Sequence, residues 1–127
     1  MKFFFDENLG IQLSNGLREF GEDTCHLRDH FKSGTLDEIW VQSIGERGWF
    51  LITVDKRIRR RPIEKEALLK YKVGAFFLGG KTMSRWDRIR QVVRIWHRIK
   101  EIAEKEKPPF AYQINNHGTE IYKLPIR

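Results

Sequence analysis

Short apolar runs alternate with longer amphipathic segments along most of the chain. Residues 2–5 (Lys-Phe-Phe-Phe) form a nearly continuous apolar run, which is typical of a strand buried on both faces. Residues 49–53 (Trp-Phe-Leu-Ile-Thr) and residues 72–78 (Lys-Val-Gly-Ala-Phe-Phe-Leu) have the same character, and residues 24–27 (Thr-Cys-His-Leu) predict a weaker strand. The pattern therefore predicts a series of strands up to residue 78.

Between these runs, apolar residues recur at the spacing of amphipathic helices. The predicted helices cover residues 9–20, 35–47, 62–71 and 84–105. Their ends carry the expected signals: Thr35 as an N-cap, Pro62 in a first turn, and Gly21 and Gly48 just beyond a last turn. The longest helix has one wide apolar stripe, which we expect to be core or a subunit interface; its members are Trp86, Ile89, Val92, Val93, Trp96, Ile99, Ile102 and Ala103.

The remaining segments are predicted to be loops and a terminal hairpin. Residues 29–34 are polar and turn-like, and residues 56–61 form a basic loop. Near the end of the chain, residues 110–114 and 120–124 flank the turn residues 115–119 (Asn-Asn-His-Gly-Thr). We expect these two strands to form an antiparallel hairpin at an edge of the sheet or extending it.

Strands that alternate with helices up to residue 105 indicate right-handed βαβ units. The predicted fold class is α/β, with three layers in the order α/β/α. Its sheet is mostly parallel and has four strands, followed by the antiparallel hairpin. Because no internal repeat or low-complexity segment interrupts the pattern, residues 1–127 are predicted to form a single domain.

Composition agrees with a globular domain. Apolar residues make up 40% of the chain and aromatic residues 13%, enough for one core at this length. No segment approaches the roughly 18 uninterrupted apolar residues of a membrane span. The first apolar run is too short for a signal peptide, and the lone Cys25 has no partner for an internal disulfide. We therefore expect a cytoplasmic protein that makes no membrane contact.

The charge of the chain favours a polyanionic partner. Twenty-four Lys and Arg residues against 17 Asp and Glu residues give a formal net charge of +7. The isoelectric point is about 9.8. A basic domain of this size has a general affinity for nucleic acid, although charge alone indicates only non-specific binding.

Acidic residues, in contrast, follow the ends of the predicted strands. Residues 6–8 (Asp-Glu-Asn) come directly after the first strand, Asp29 after the second and Asp55 after the third, while residues 37–38 (Asp-Glu) open the second helix. In an open α/β sheet these positions lie at one edge, outside the carboxyl ends of the strands. We therefore expect several carboxylates from separate segments to converge there.

Carboxylates that lie close together repel one another unless a cation lies among them. Oxygen ligands without nearby His or Cys favour Mg²⁺ or Mn²⁺ as that cation. Two such ions could activate a water and stabilise the leaving oxygen of a phosphodiester. Each acid also has a structural alternative as a helix cap, a dipole partner, a turn residue or a solvated loop acid. The candidate catalytic and metal-binding residues are Asp6, Glu38 and Asp55, with Asp37, Glu7, Asn8 and Asp29 as further metal-ligand candidates.

A run of basic residues follows Asp55 directly. Arginine and lysine beside an acidic metal pocket suit a nuclease, because the cations can hold phosphates that flank the scissile one. A solvated loop or a docking patch for an acidic partner is the structural alternative. The candidate RNA-phosphate ligands are Lys56, Arg57, Arg59, Arg60 and Arg61.

Three segments resemble the PIN-like family of short prokaryotic proteins related to VapC toxins. They are Phe5-Asp-Glu-Asn-Leu9, Thr35-Leu-Asp-Glu-Ile39 and Leu51-Ile-Thr-Val-Asp-Lys-Arg57, and the resemblance extends over nearly the whole chain. It implies a PIN-like fold and a metal-dependent endoribonuclease that acts as the toxin of a type II toxin–antitoxin system. It also implies a cognate antitoxin as partner.

The resemblance also assigns residues by position. Asp6 matches the first-strand acid, Glu38 (or its neighbour Asp37) the helix acid, Asp55 the third-strand acid, and Thr53 the supporting hydroxyl residue. Family members commonly have a further acid one turn or loop later, where this chain is rich in arginine. The fourth ligand is therefore missing or comes from Asp29, Glu7 or Asn8, and a one-metal site is an alternative to a two-metal site.

Other functions compete with this interpretation. A phospho-receiver domain is also a parallel α/β fold with acids after its first and third strands, and it would accept phosphate at Asp55. A non-catalytic PIN-like module that only binds RNA or regulates is the other alternative. Gly79-Gly-Lys-Thr82 resembles the end of a phosphate-binding loop, but Ala75 stands where that motif requires glycine, so we reject it. A homodimer is expected if the apolar surface of the last helix and the hairpin is exposed.

Overall fold

A six-stranded sheet forms the centre of the computed structural model, which describes residues 1–126. The strands are β1 (Phe3–Phe5), β2 (Thr24–His26), β3 (Phe50–Thr53), β4 (Gly74–Leu78), β5 (Phe110–Ile114) and β6 (Ile121–Leu124). The helices are α1 (Ile11–Glu19), α2 (Leu27–His30), α3 (Asp37–Arg47), α4 (Arg57–Arg60), α5 (Pro62–Lys70) and α6 (Arg85–Lys105).

The strands lie in the order β2-β1-β3-β4-β5-β6, and all neighbouring pairs from β2 to β5 are parallel. Only β6 is antiparallel, paired with β5. The predicted α/β class with a mostly parallel sheet and a terminal hairpin is confirmed. The parallel part has five strands instead of the expected four, because α6 returns the chain so that the first hairpin strand pairs parallel to β4.

This strand order fixes where a site can form. The chain leaves β1 toward β2 on one side and reaches β3 on the other, so the connections diverge between β1 and β3. In doubly wound sheets a crevice opens at such a point, outside the carboxyl ends of the two strands. Asp6 follows β1 and Asp55 comes soon after β3, so both acids flank this crevice.

The apolar run of β1 divides its side chains between two cores. Phe3 and Phe5 lie in the core that includes buried residues of α1 and α6, and Phe4 lies in the core that includes residues of α3 and α5. All three rings are at most 1% exposed. Because successive strand residues point to opposite faces, a strand covered on both sides needs a continuous apolar sequence. Each buried ring contributes roughly 1.5–3 kcal/mol.

Two segments predicted to be loops contain a short helix. Within residues 29–34, the first two residues belong to α2, because the side chains of His26 and Asp29 cap its first turn reciprocally. Within residues 56–61, Arg57–Arg60 form α4, and Ile58 anchors that turn in the core at 1% exposure. Neither turn is long enough to carry a helical periodicity in the sequence.

Two further details differ from the sequence predictions. Thr35 does not cap α3, because its hydroxyl donates to the carbonyl of Lys32 and the helix begins at Asp37. On α6, the predicted stripe is too wide: Trp86 is 72% exposed and Val93 is 56% exposed. The buried face of α6 instead runs through other members of the stripe and adds Ile95, which is 1% exposed.

Helices α3 and α5 approach closely at Gly45. A Cβ atom built at this position would lie 2.5 Å from the carbonyl oxygen of Tyr71, which caps the end of α5. The absence of a side chain therefore lets α3 pack against the end of α5. Gly48 then ends α3 with a positive φ of 72°, as predicted from its position. Among residues 1–126, no helix has both the length and the apolar character needed to cross a membrane.

Candidate active site

Asp6 is a buried carboxylate at the end of β1. It is 2% exposed, and its backbone N–H still donates to the carbonyl of Ile52 on β3, at 3.3 Å. One carboxylate oxygen accepts the N–H of Asn8 at 3.1 Å, and the other accepts the hydroxyl of Thr53. The sheet and these two bonds therefore hold the carboxylate in one orientation.

The turn that carries Asp6 is itself held from β2. The His26 ring is fully buried, its Nδ1 accepts the N–H of Arg28 at 3.1 Å, and its Nε2 lies 2.7 Å from the carbonyl of Leu9. Because Nδ1 accepts a hydrogen bond, the proton is on Nε2 and is donated to Leu9. This histidine therefore ties residues 6–9 to the second strand, and sequence reasoning had found no role for it.

Asp55 is positioned by Thr53 and by Arg57. The hydroxyl of Thr53, which donates to Asp6, accepts the N–H of Asp55 at 2.9 Å, so one buried hydroxyl connects the two acids. The guanidinium of Arg57 donates to both carboxylate oxygens of Asp55, each at 2.9 Å. Burial raises the pKa of Asp55, but these hydrogen bonds and the charges of Arg57 and Arg61 outweigh it, so the pKa lies below its usual value.

Asp37 is the third carboxylate near this point. It opens α3, is half-buried, and accepts the indole N–H of Trp40 at 3.2 Å. Burial raises the pKa of Asp37, the hydrogen bond from Trp40 lowers it, and the negative charge of Asp55 raises it again. Trp40 is 1% exposed and lies one turn further along α3, which brings Asp37 to the core side of the helix.

The three aspartates interact electrostatically although they come from separate segments. Burial, together with the charges of Asp55 and Asp37, raises the pKa of Asp6 to about 7, although the hydrogen bonds from Thr53 and Asn8 lower it. A carboxyl pKa raised this far is characteristic of a buried acid with like-charged neighbours. A positive charge placed beside Asp6 would favour its ionised form at lower pH.

The other predicted acids have different surroundings. Glu38 is exposed on α3, next to Asp37 in sequence but outside the interacting group of aspartates. Glu7 accepts the hydroxyl of Ser33, which together with weaker interactions lowers its pKa. Asp29 accepts the N–H of His26 at 2.9 Å as part of the α2 cap and lies 3.7 Å from Arg18. Asn8 lines the cavity beside Asp55.

The donor chemistry suits a hard divalent cation held by few protein ligands. Within residues 1–126, no three Asp, Glu, His or Cys side chains are clustered closely enough to hold one metal ion together. Mg²⁺ commonly binds through one or two carboxylates and keeps several waters or substrate oxygens. Asp6 and Asp55 fit that smaller requirement, since Thr53 bonds both the Asp6 carboxylate and the Asp55 N–H. A cation there would offset the burial and the repulsion that together raise the pKa of Asp6.

A cavity of about 570 Å³ lies beside Asp55, and several lysine and arginine side chains line it. Its charged and polar wall residues are Asn8, Asp55, Lys56, Arg57, Arg60 and Lys81. Lys81 was not found from the sequence. The sequence feature that could have indicated Lys81 is Gly79-Gly80. This pair follows β4 at the same edge of the sheet, so the next residue lies beside the crevice.

The basic residues after Asp55 make different contacts. Arg57 pairs with Asp55, and the charge of Arg61 lowers the pKa of both Asp55 and Asp37. Arg59 instead lies over the ring of Phe77, with its guanidinium carbon 5.5 Å from the ring centre. The candidate RNA-phosphate ligands are therefore divided between two neighbouring surfaces, with Arg57 and Arg60 on one and Arg59 on the other.

The chain is similar to a known protein family. A family model described as a PIN like domain matches residues 1–80, which include Asp6, Asp37, Thr53 and Asp55. No curated protein and no solved structure matches the chain.

Proposed function

The chain belongs to the PIN-like domain family, and from this membership we propose that it is a metal-dependent endoribonuclease. PIN-like domains are generally nucleases and typically use divalent metals. We assign the cation, Mg²⁺ or Mn²⁺, to Asp6 and Asp55, and Asp37 to the acidic position on α3 that the sequence had given first to Glu38. Asp37 is preferred over Glu38 because its charge raises the pKa of Asp6, and the charge of Asp55 raises the pKa of Asp37.

The observation that carries the proposal is the shared hydroxyl of Thr53. It donates to the buried carboxylate of Asp6 and accepts the N–H of Asp55, and it is itself fully buried. A buried threonine that joins the ends of β1 and β3 holds two acids at the crevice of the sheet. Burying like charges in this way is costly, and the bound cation would offset the cost.

The chain's own residues supply binding and orientation around that cation. When bound, the metal would supply positive charge to the scissile phosphate and a nucleophilic water. Arg60 and Lys81 line the cavity beside Asp55 and are suited to hold phosphate oxygens. Asp37 lies beside Asp55 and keeps the site negative toward a cation.

We further propose that the protein is the toxin of a type II toxin–antitoxin system, silenced by a cognate antitoxin. The resemblance to VapC-related proteins supports this role, as does an apolar groove of about 500 Å³ between α1 and α6. Trp86, 72% exposed, and Phe20, 90% exposed, lie along this groove. Such a surface suits a protein partner or a homodimer. Light scattering distinguishes the two. If the groove forms a homodimer, the pure wild type is a dimer and Trp86→Ser is a monomer. If the groove binds a different protein, both are monomers when that protein is absent.

The nuclease assignment is tested with a labelled single-stranded RNA and Mn²⁺ or Mg²⁺. Asp55→Asn should abolish cleavage, and EDTA should stop the wild type. Asp23→Asn is the matched control, because the side chain of Asp23 is 54% exposed and pairs with Lys2 and the N-terminus, away from the cavity beside Asp55. Metal binding is read separately from the rise in melting temperature with Mg²⁺, which should be smaller in Asp55→Asn. Equal cleavage by Asp55→Asn and the wild type would refute the assignment.

A phospho-receiver remains the second candidate because of the strand order. The five parallel strands follow the order 2-1-3-4-5, which receiver-type folds also have, and Asp55 lies at the crevice of that sheet. Incubation with acetyl phosphate distinguishes the candidates. Covalent phosphate on Asp55 without any RNA cleavage would favour the receiver. A non-catalytic RNA-binding module would bind RNA equally well with and without the Asp55→Asn change, and would not cleave it.

A further inference from the structure

A second cavity lies beside the one that contains Asp55, on the side of the terminal hairpin. It has a volume of about 530 Å³, and Lys56 and Gly80 line both cavities. The two cavities are therefore neighbours along the carboxyl edge of the sheet. The hairpin that forms the far wall lies outside residues 1–80, so the match to the PIN-like family does not describe this cavity.

The strand register connects the second cavity to the acids. Thr53 of β3 pairs with Phe77 of β4, Phe77 with Gln113 of β5, and Gln113 with Tyr122 of β6. Residues paired in this way lie in one row across the sheet, with their side chains on one face. Three strand spacings of 4.7–4.9 Å put Tyr122 about 14 Å from Thr53.

Arg59 lies along this row. Its guanidinium lies over Phe77, and its charge interacts with Tyr122. Among the residues that the structure describes, its buried Nε has no hydrogen-bond partner. A buried donor without a partner is unusual in a native protein, and either a water or a ligand oxygen would supply the missing acceptor. Arg59 also lines the second cavity, where such a ligand would bind.

The remaining walls offer groups suited to a nucleotide. Tyr122 is 51% exposed, so much of its side chain is free to contact a base. Asn116 and His117 are exposed on the hairpin loop, which Asn115 holds through bonds to Thr119 and Glu120. None of the described residues lining this cavity is acidic, whereas the neighbouring cavity contains Asp55.

We propose that the second cavity binds the nucleotide next to the scissile phosphate of a single-stranded RNA, with its base stacked on Tyr122 and its phosphate held by Arg59. This inference rests on the nuclease proposal for the direction of the strand, since the acids mark where cleavage occurs. An unpaired strand is required because a base held in a duplex cannot offer its face to a side chain. Tyr122 is thus a substrate-positioning residue and takes no part in bond cleavage.

The test measures binding and cleavage separately. A fluorescein-labelled single-stranded RNA of about eight nucleotides, within the usual site size, is titrated with protein in Ca²⁺ buffer and followed by anisotropy. Gel analysis shows whether the RNA stays intact. Cleavage is then measured with Mn²⁺. Tyr122→Ala should weaken binding and raise KM by roughly tenfold, with kcat little changed, and Tyr122→Phe should retain most of the affinity. Ile63→Ala is the control, because Ile63 is an exposed apolar side chain on α5 that lines neither of the two cavities.

The outcomes separate this inference from the nuclease proposal. If the wild type cleaves RNA and Tyr122→Ala has an unchanged KM and affinity, the nucleotide site is refuted and the nuclease stands. If the wild type binds RNA through Tyr122 but never cleaves it, the nucleotide site stands and the nuclease is refuted. A wild type that neither binds nor cleaves RNA overturns both. An Ile63→Ala variant that binds RNA as weakly as Tyr122→Ala also overturns the nucleotide site, because the effect would not depend on position.

Discussion

Replacing Asp6 with asparagine should stabilise the metal-free protein at pH 8 and leave its stability near pH 4 almost unchanged. The carboxyl of Asp6 is 2% exposed, and burial, with the charges of Asp55 and Asp37, raises its pKa from 3.8 to about 7. Between these values the folded protein keeps a proton that the unfolded chain has released. The free energy of unfolding therefore falls as the pH rises from about 4 to about 7, and the loss is complete above that range.

The size of the effect follows from the shift. A change of about 3 pKa units corresponds to about 4 kcal/mol of unfolding free energy at pH 8. Asparagine has nearly the same volume and can still accept the N–H of Asn8, but it cannot accept the Thr53 hydroxyl in the same way, which costs about 1 kcal/mol. We therefore expect Asp6→Asn to be more stable than the wild type by about 3 kcal/mol at pH 8, and slightly less stable near pH 4.

Urea unfolding in EDTA at several values between pH 4 and pH 8 measures this difference. The comparison with the variant removes the contribution of titrating groups that do not interact with Asp6. Asp55, whose lowered pKa has the opposite effect on stability, is present in both proteins. Saturating Mg²⁺ at pH 8 should then stabilise the wild type more than Asp6→Asn. A stability difference that does not change with pH, or a variant less stable than the wild type at pH 8, would refute the reasoning.

Three further predictions concern packing, the Asp55 ion pair and the basic cavity. Gly45→Ala should lower the free energy of unfolding by about 1–3 kcal/mol, because the new Cβ would lie 2.5 Å from the Tyr71 carbonyl; urea unfolding measures this. Arg57→Gln should tighten Mg²⁺ binding by about two- to fivefold in calorimetry, because the guanidinium no longer holds Asp55; weaker binding would contradict this. Arg60→Ala should reduce the slope of log affinity for RNA against log salt by about one, and an unchanged slope would remove Arg60 from the phosphate site.

The sequence alone determined the elements and the edge at which the acids lie. The apolar run of β1 predicted a strand covered on both faces, because only such a strand tolerates apolar side chains at every position. The alternation of strands and helices predicted the α/β class, and the carboxyl ends of parallel strands meet at one edge. Asp6 and Asp55 could therefore be named before any coordinates, since both follow predicted strands.

Tertiary packing decided which neighbouring side chains meet. Asp37 and Glu38 are adjacent in sequence, but only the packing of Trp40 turns Asp37 toward the other acids and leaves Glu38 exposed. The pairing of β5 with β4 likewise brings the hairpin and Tyr122 to the edge that carries Asp55. The packing of Trp40 against Phe4 and the pairing of β5 with β4 join residues far apart in the chain, and local periodicity contains no information about them. The same reason explains why the shared hydroxyl of Thr53 became visible only in the folded protein.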